Sequence, residues 1–249
     1  MRRPGAIVGR RLLPAIHTLG RGVGQPVNAA RLLRWSGYAV GRGASVCCYA
    51  VADDVEISDD VTVGANVVLG RGVRLGAGSR IIEGSQLSDA VIGAATRVEM
   101  GCLLARFEVG ARSWIGAQTM CVGRGDGRIT IGEGAYIGPR CLLDWTGGLV
   151  MGSGVQVSGP STVFWTHSSA DQMLSGLAYD SAEGRRTAPI TVGDHVFIGG
   201  NCTIYPGVTI GDHSIVLPNS VVGDDVAAYR MVGGAPATVV KELEQRPRR

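Results

Sequence analysis

The sequence predicts an all-β solenoid, in which short strands stack coil upon coil. The main observation is a strict period of six residues over 192–215, where each unit opens with a branched aliphatic residue and a small or β-branched residue fills the fifth place. The opening residues are Val192, Ile198, Ile204 and Ile210. A period of six fits neither a helix, which repeats near 3.6, nor an alternating strand, which repeats at 2. Short strands joined by tight turns fit it.

The composition agrees with this fold and excludes several classes of protein. Glycine is abundant (39 residues) and aromatic residues are scarce (5%), as expected where turns recur around a narrow core. The net charge is only +3, and no dense basic run is interleaved with aromatic residues, so we expect no nucleic-acid partner. No window approaches the roughly 20 apolar residues that span a bilayer.

The cysteines predict a reducing compartment. Three of the six, Cys102, Cys141 and Cys202, occupy fifth places, and Cys121 occupies an opening place, so their simplest role is to fill the core. The sequence has no CxxC pair. At the amino terminus, Arg10 and Arg11 interrupt the apolar run that a cleavable signal would need. We therefore expect a cytoplasmic protein with reduced thiols.

Residues 1–39 carry no hexads and are predicted to form a short N-terminal helical cap. Two apolar clusters flank the glycine and proline residues of 20–26, which suggests two short helical segments that cover the first coil. The basic residues of this segment are either an ordinary solvated face or a surface that rests on the inner face of an anionic membrane. These residues are Arg2, Arg3, Arg10, Arg11, Arg31 and Arg34.

Residues 40–226 are predicted to form the β-helix. The hexads become regular at Ile57, and extra residues near 85–89 are expected to shift the frame. Further breaks at 123–128 and 144–148 belong at corners, where a loop can leave the stack. The one long interruption is the loop 164–189, which opens with an aromatic pair and a histidine; connections of this length are usually functional. Residues 227–249 are predicted to be a strand and a tail.

Four segments of the chain resemble the sugar O-acetyltransferase branch of the hexapeptide-repeat acyltransferases. They are residues 166–168 (THS), 189–199 (PITVGDHVFIG), 206–211 (PGVTIG) and 233–237 (GGAPA). This branch includes the galactoside, maltose and capsular or colanic-acid acetyltransferases, and the match is close over about the last third of the chain. The resemblance implies a left-handed parallel β-helix with three-sided coils. It also implies a homotrimer with sites at the subunit boundaries, and a role in polysaccharide modification.

The same resemblance implies how the site works. His167 would be the general base that takes a proton from an acceptor hydroxyl, and the N–H of Gly200 would stabilise the oxyanion. Either Asp171 or a backbone carbonyl could orient the imidazole. Trp145 and Trp165 either form a wall for a sugar or cover the coil. Besides these residues, Asp144 either accepts hydrogen bonds from acceptor hydroxyls or is an ordinary turn residue.

The implied donor is acetyl-CoA. Its pantetheine arm would lie along small residues, namely Gly199, Gly200, Pro218 and Gly223. The adenine would pack near Ala235 and Pro236, and Lys241 would lie near the phosphates. This sequence departs from the family at 224, where an aspartate replaces a lysine expected near the phosphates.

Several alternatives remain open at this point. Transfer to the nitrogen of an amino sugar or to the hydroxyl of serine would use the same fold, and a β-helix can also be a non-catalytic scaffold or binding module. His195 and His213 are three hexads apart and should stack on adjacent coils. A zinc site of the γ-carbonic anhydrase type would need a third ligand, so we expect turn histidines and no metal.

Overall fold

A computed structural model describes residues 28–244 except 53, 179, 180 and 182. The chain divides into two compact units, one up to residue 119 and one from residue 120. The expectations for residues 1–27 and 245–249, including the first four arginines of the basic surface, lie outside the described residues. The sequence-based boundaries of the cap, the β-helix and the tail stay predictions.

The first unit begins with a short helix and continues in strands that are mostly two residues long. In most of these strands the first side chain points outward and the second is buried, because the second is the opening aliphatic residue of a hexad. The elements are α1 (Ala30–Trp35), β1 (Ala39–Val40), β2 (Ser45–Val46), β3 (Ala50–Val51), β4 (Glu56–Ile57), β5 (Thr62–Val63), β6 (Val68–Leu69), β7 (Arg74–Leu75), β8 (Arg80–Ile81), β9 (Gln86–Ile92), β10 (Arg97–Val98), β11 (Leu103–Val109) and β12 (Trp114–Ile115).

The strand pairing of this unit shows a three-sided coil. One coil advances 18 residues on each side: β4 pairs with β7 (56 to 74), β5 with β8 (62 to 80) and β6 with β9 (68 to 86), all in parallel. From there the advance is 17 residues (75 to 92, 81 to 98, 87 to 104). The expectation of extra residues near 85–89 was therefore wrong. One residue fewer turns this corner, and Asp89, with a φ of 45°, makes the tighter bend within β9.

The second unit repeats this plan with longer connections. Its elements are β13 (Met120–Val122), β14 (Ile129–Ile131), β15 (Tyr136–Ile137), β16 (Leu142–Asp144), β17 (Leu149–Met151), β18 (Gln156–Val157), β19 (Val163–Phe164), β20 (His167–Ser168), α2 (Ala170–Leu174), β21 (Arg186–Thr187), β22 (Ile190–Val192), β23 (Phe197–Ile198), β24 (Thr203–Ile204), β25 (Thr209–Ile210), β26 (Ile215–Val216), β27 (Val221–Val222), β28 (Arg230–Gly233) and β29 (Thr238–Glu242).

Three series of parallel strands form three faces of this unit. Face 1 contains β14, β17, β22 and β25. Face 2 contains β15, β18, β23, β26 and β28, with β29 added antiparallel. Face 3 contains β13, β16, β19, β24 and β27. Each coil passes from face 3 to face 1, then to face 2, and back to face 3. The corner between faces 3 and 1 is called the site corner. The corner between faces 1 and 2 is called the ladder corner, and the corner between faces 2 and 3 is called the glycine corner.

The core is filled as the hexads predict. The opening residues Ile198, Ile204 and Ile210 are fully buried, and so are the fifth-place residues Cys102 and Cys202. All six cysteines are free thiols. Burial raises the pKa of Cys48 to about 12 and those of Cys102 and Cys141 to about 11, so these thiols are unreactive core residues. No helix within the described ranges is long and apolar enough to span a bilayer.

Candidate active site

The site corner collects residues that follow successive strands of face 3. Leu143, Phe164, Ile204 and Val222 lie in register on β16, β19, β24 and β27, so the residues after them emerge at one corner. In chain order these are Asp144 with Thr146, Trp165 with His167, Tyr205, and Gly223. The hexad register thus brings together residues that are up to eighty positions apart.

His167 contacts a buried carboxylate. Its Nδ1 lies 2.6 Å from Oδ2 of Asp144, a side chain with no exposed surface. Asp144 also accepts hydrogen bonds from the N–H and hydroxyl of Thr146 (2.9 and 2.6 Å) and from the N–H of Thr166 (2.9 Å). Four donors therefore fix this carboxylate, and the carboxylate fixes the imidazole.

The pKa of Asp144 is lowered. Burial alone raises it, but the hydrogen bonds from Thr146, His167 and Thr166 favour the charged form and outweigh burial. An ionised Asp144 only accepts hydrogen bonds, so Nδ1 of His167 carries the proton that lies between them. Nε2 then keeps its lone pair. Nε2 has no hydrogen-bond partner in the described part of the chain, so this nitrogen is available to a ligand.

The long loop forms a small structure of its own. His167 and Ser168 form β20, which pairs antiparallel with Arg186 and Thr187 of β21, and α2 lies between them. The expectation that Asp171 orients the imidazole was wrong. Asp171 lies on α2, and its carboxylate pairs with Nε of Arg186 at 2.6 Å.

His167 lines two cavities. The first, of about 510 Å³, is lined by Trp165, Ser168, Thr203, Tyr205 and Pro206 as well as His167; we call it the Tyr205 cavity. The second, of about 290 Å³, is lined by Gly123, Arg124, Thr146, Ser169 and Arg185 as well as Trp165 and His167; we call it the Arg124 cavity. Trp165 also packs edge-on against the imidazole, with ring centroids 5.9 Å apart.

The two remaining predicted acceptor residues lie deeper than expected. The prediction that Asp144 binds acceptor hydroxyls was wrong, because its carboxylate is buried and occupied by protein donors. Trp145 is half-buried and packs against Gly123, where a Cβ would lie 2.8 Å from the indole ring. Its role as a wall for a sugar or as a cover for the coil stays a prediction.

The glycine and proline residues predicted to bind acetyl-CoA divide between two corners. Gly199, Gly200 and Pro218 lie at the glycine corner, where a Cβ on Gly199 would come within 2.5 Å of Pro218. Gly223 instead lies at the site corner, where a Cβ would stand 3.7 Å from the ring of Tyr205. Within one chain the structure brings only Gly223 close to the histidine.

Gly200 and His167 lie at opposite ends of face 3. The Gly200 turn precedes β24, whereas His167 follows β19, the strand paired with β24. The five residue-to-residue steps from Gly200 to Tyr205 would span roughly 16 Å at about 3.3 Å per step. The N–H of Gly200 has no hydrogen-bond acceptor within the described ranges.

The C-terminal residues that are predicted to bind acetyl-CoA lie in a third place. Ala235 and Pro236 form the exposed turn between β28 and β29. Lys241 lies on β29, paired with Met231 on face 2. It lines a third cavity, of about 470 Å³, with His213 and Tyr229.

The turn histidines behave as predicted. His195 and His213 have φ values of 55° and 57°, and their rings stack with centroids 5.2 Å apart. Tyr229 continues the stack, 4.9 Å from His213. Over the described residues, no group of three or more His, Cys, Asp or Glu side chains is placed to hold a metal ion.

Sequence reasoning missed four residues of the site: Arg124, Thr146, Arg185 and Tyr205. A usable signal was present, because the frame breaks at 123–128 and 144–148 and the long loop all follow strands of face 3. Breaks that recur after the same strand series must share one corner. Counting coils would therefore have placed the first two breaks beside the histidine.

Comparisons with known proteins agree with the fold. Residues 189–224 match the family described as bacterial transferase hexapeptide (six repeats), and residues 54–85 match the hexapeptide repeat of succinyl-transferase. The solved structure of a UDP-N-acetylglucosamine acyltransferase superposes with a TM-score of 0.61 at 20% identity, covering 76% of this chain and 70% of that one.

Two curated relatives match over shorter segments. Galactoside O-acetyltransferase of Escherichia coli (strain K12) is 41% identical over 58 residues, which is 23% of this chain and 29% of that protein. The 2,3,4,5-tetrahydropyridine-2,6-dicarboxylate N-acetyltransferase of Brevibacillus brevis is 33% identical over 82 residues, 33% of each chain. The chain thus spans about a third of the length of the curated relatives it matches. Two segments of the chain thus match hexapeptide-repeat models, and its fold is similar to that of a left-handed β-helix acyltransferase.

Proposed function

We propose that this protein transfers an acetyl group from acetyl-CoA to a hydroxyl of a sugar-containing acceptor. The observation that carries the proposal is the imidazole of His167, held by the buried Asp144 at Nδ1 and open at Nε2 between two cavities. The similarity to a galactoside O-acetyltransferase supports the same chemistry.

The proposed reaction is a direct transfer. Nε2 of His167 accepts the proton of the acceptor hydroxyl while the oxygen attacks the thioester carbonyl. The carbon–oxygen bond forms, the carbon–sulfur bond breaks, and the imidazolium returns the proton to the CoA sulfur. Asp144 is a positioning residue, since it keeps the ring oriented and stabilises the imidazolium that forms.

The oxyanion donor in this proposal comes from a neighbouring copy. The tetrahedral intermediate needs a fixed N–H donor. The N–H of Gly200 has no hydrogen-bond acceptor within the described residues, so it could serve as that donor. Within one chain it lies at the far end of face 3 from His167. A site shared between copies would bring the two groups together.

The outward side chains of the second unit support a homotrimer. The outward row of face 2 is Tyr136, Gln156, Phe197, Ile215 and Met231, and that of face 3 is Met120, Leu142, Val163, Thr203 and Val221. Face 1 is more polar, with Thr130, Val150, Thr191 and Thr209. A closed ring buries two different patches of each copy, which matches two apolar faces and one polar face.

The donor is assigned to the Tyr205 side of the histidine. The absence of a side chain at Gly223 leaves space beside the ring of Tyr205, where the pantetheine arm would lie. Lys241, on face 2, would reach the phosphates of a CoA held by an adjacent copy. The free thiols and the use of acetyl-CoA fit a cytoplasmic protein.

The test is acceptor-dependent release of free CoA. The purified protein is incubated with acetyl-CoA and a panel of glycosides, amino sugars and serine, and the product of each active acceptor is treated with hydroxylamine. We expect CoA release with glycosides, products whose acetyl group hydroxylamine removes as it does from esters, and a trimer by light scattering. Amide products from amino sugars, or no acceptor-dependent release, would contradict the proposal.

A further inference from the structure

We infer that the acceptor carries an anionic group, a carboxylate or a phosphate, which binds in the Arg124 cavity beside the catalytic histidine. This inference rests on the proposed function and names the chemical class of its acceptor. Two arginines, Arg124 and Arg185, line the cavity together with Thr146 and Ser169, and none of its described lining residues is acidic.

The order of the coils assigns this cavity to the acceptor. His167 lines both cavities, so each of them can hold one of the two substrates beside the imidazole. The Tyr205 cavity is formed by later coils, next to Gly223 and towards the C-terminal residues assigned to the donor. The Arg124 cavity is formed by the earlier coils of β13 and β16, which leaves it for the acceptor.

Arg124 is connected to the same carboxylate as the base. Its backbone N–H donates to Oγ1 of Thr146 at 3.1 Å, and that hydroxyl donates to Asp144 at 2.6 Å. Asp144 in turn contacts Nδ1 of His167. The loop 123–128, an insertion that the core does not need, is therefore fixed in position relative to the imidazole.

Arg185 is connected to the base through the other strand of the loop. It directly precedes β21, whose Arg186 and Thr187 pair with Ser168 and His167. Two arginines thus line the cavity on segments that are linked to the residues holding the base. Rigid placement of this kind is what recognition of a fixed anion requires.

The chemistry of the cavity wall favours an anion over a neutral sugar. Sugar hydroxyls need both donors and acceptors, whereas the side chains of Arg124 and Arg185 offer only donors. A guanidinium has a planar fork of N–H groups that matches the two oxygens of a carboxylate or phosphate. The phosphates of CoA are an unsuitable occupant, because the pantetheine arm separates them from the thioester.

The test compares matched neutral and anionic acceptors. The kcat/KM for CoA release is measured with p-nitrophenyl β-glucoside and its glucuronide, and with glucose and glucose 6-phosphate. We expect one anionic acceptor to exceed its neutral partner by roughly 10-fold or more, the size of a hydrogen bond to a charged group. The pair with the larger ratio of anionic to neutral kcat/KM shows whether the recognised group is a carboxylate or a phosphate.

The variants Arg124→Gln and Arg185→Gln should each reduce that ratio by roughly 10-fold. The control is Arg42→Gln, an arginine of the first unit whose side chain is 95% exposed; it should leave the ratio unchanged. Equal use of neutral and anionic acceptors, with the ratio unmoved by either variant, would overturn the inference and leave the proposed transfer standing. A loss of acetyl-CoA affinity in these variants, with acceptor KM unchanged, would reassign the cavity to the donor and also overturn it.

A failure of the proposed function can be distinguished from a failure of this inference. If no acceptor supports transfer, binding of glucuronate and of glucose 6-phosphate is measured by calorimetry on the unmodified protein and on Arg124→Gln and Arg185→Gln. Binding that either variant abolishes supports the anion site without catalysis. Absent binding, or binding that both variants retain, contradicts it.

Discussion

The site corner and the ladder corner both present histidines, and their surroundings differ. At the ladder corner, His195 and His213 lie in turns of uninterrupted hexads, and each ring meets the ring of the next coil. At the site corner the hexads are interrupted, and the ring of His167 meets the carboxylate of Asp144 from the preceding coil. The same side chain is a stacking element in one place and a candidate base in the other.

The aspartates of the two corners explain the difference. Asp194 and Asp212 are exposed, and each uses Oδ1 to accept a backbone N–H, from Ser153 and from Asp194 respectively. Asp144 is buried and uses both oxygens, one of which lies against His167. The feature that distinguishes the candidate base from the turn histidines is therefore the buried carboxylate beside its imidazole.

The largest expected effect separates the two kinds of histidine. His167→Ala should lower kcat for the proposed acetyl transfer by about 100-fold or more, because it removes the proposed general base. His195→Ala should leave kcat within about 2-fold, since that ring stacks in a turn at the ladder corner. Steady-state kinetics on both variants, with trimer content checked, gives the comparison; similar losses in both variants would remove the distinction between the corners.

The second effect separates the two kinds of aspartate. Asp144→Asn should lower kcat by roughly 10- to 100-fold, part of the general-base contribution, because the imidazolium loses its counter-charge. The matched control Asp212→Asn should retain kcat. If kcat of Asp144→Asn equalled that of the unmodified protein, the proposed positioning role would be wrong.

Asp144 should also affect the pH dependence of stability. Its pKa is lowered in the folded state, so its contribution to the free energy of unfolding is present above its ordinary value of 3.8 and is lost as pH falls through the folded value. The stability difference between the unmodified protein and Asp144→Asn should therefore narrow below pH 3.8. Urea unfolding at pH 7, 4 and 3 measures it, and a difference that stays constant would contradict the assignment.

A smaller effect separates two exposed tyrosines. Tyr205→Ala should raise KM for acetyl-CoA by roughly 2- to 10-fold, as loss of an aromatic contact of about 0.5–1.5 kcal/mol predicts. Tyr49→Ala in the first unit is the control, because Tyr49 and Tyr205 are exposed to similar degrees, and its KM for acetyl-CoA should be unchanged. An unchanged KM in Tyr205→Ala would move the donor away from the Tyr205 cavity.

The smallest expected effect is that of alkylating the cysteine thiols, which occur in both units. Because burial raises the pKa values of Cys48, Cys102 and Cys141 far above neutrality, these residues stay protonated and unreactive. Iodoacetamide at pH 8 should leave transfer activity unchanged in the folded protein. Inactivation that acetyl-CoA prevents would place a reactive thiol in the site.

The sequence predicted the core better than the contacts of the site. Hexads predict the buried positions because the opening residue of every unit must point inward, and Ile198, Ile204 and Ile210 do so. The contact between Asp144 and His167 depends on how many residues complete the intervening coil, and the breaks hide that number. Asp171 was the candidate nearest to His167 in sequence, but α2 turns it towards Arg186.

The decisive measurement is a crystal structure of the protein with CoA and an accepted acceptor. We expect the acceptor hydroxyl within about 2.6–3.2 Å of Nε2 of His167. We also expect the CoA sulfur on the Tyr205 side and the N–H of Gly200 from an adjacent copy facing the thioester. A CoA sulfur bound at the ladder corner, or an acceptor out of reach of His167, would contradict it.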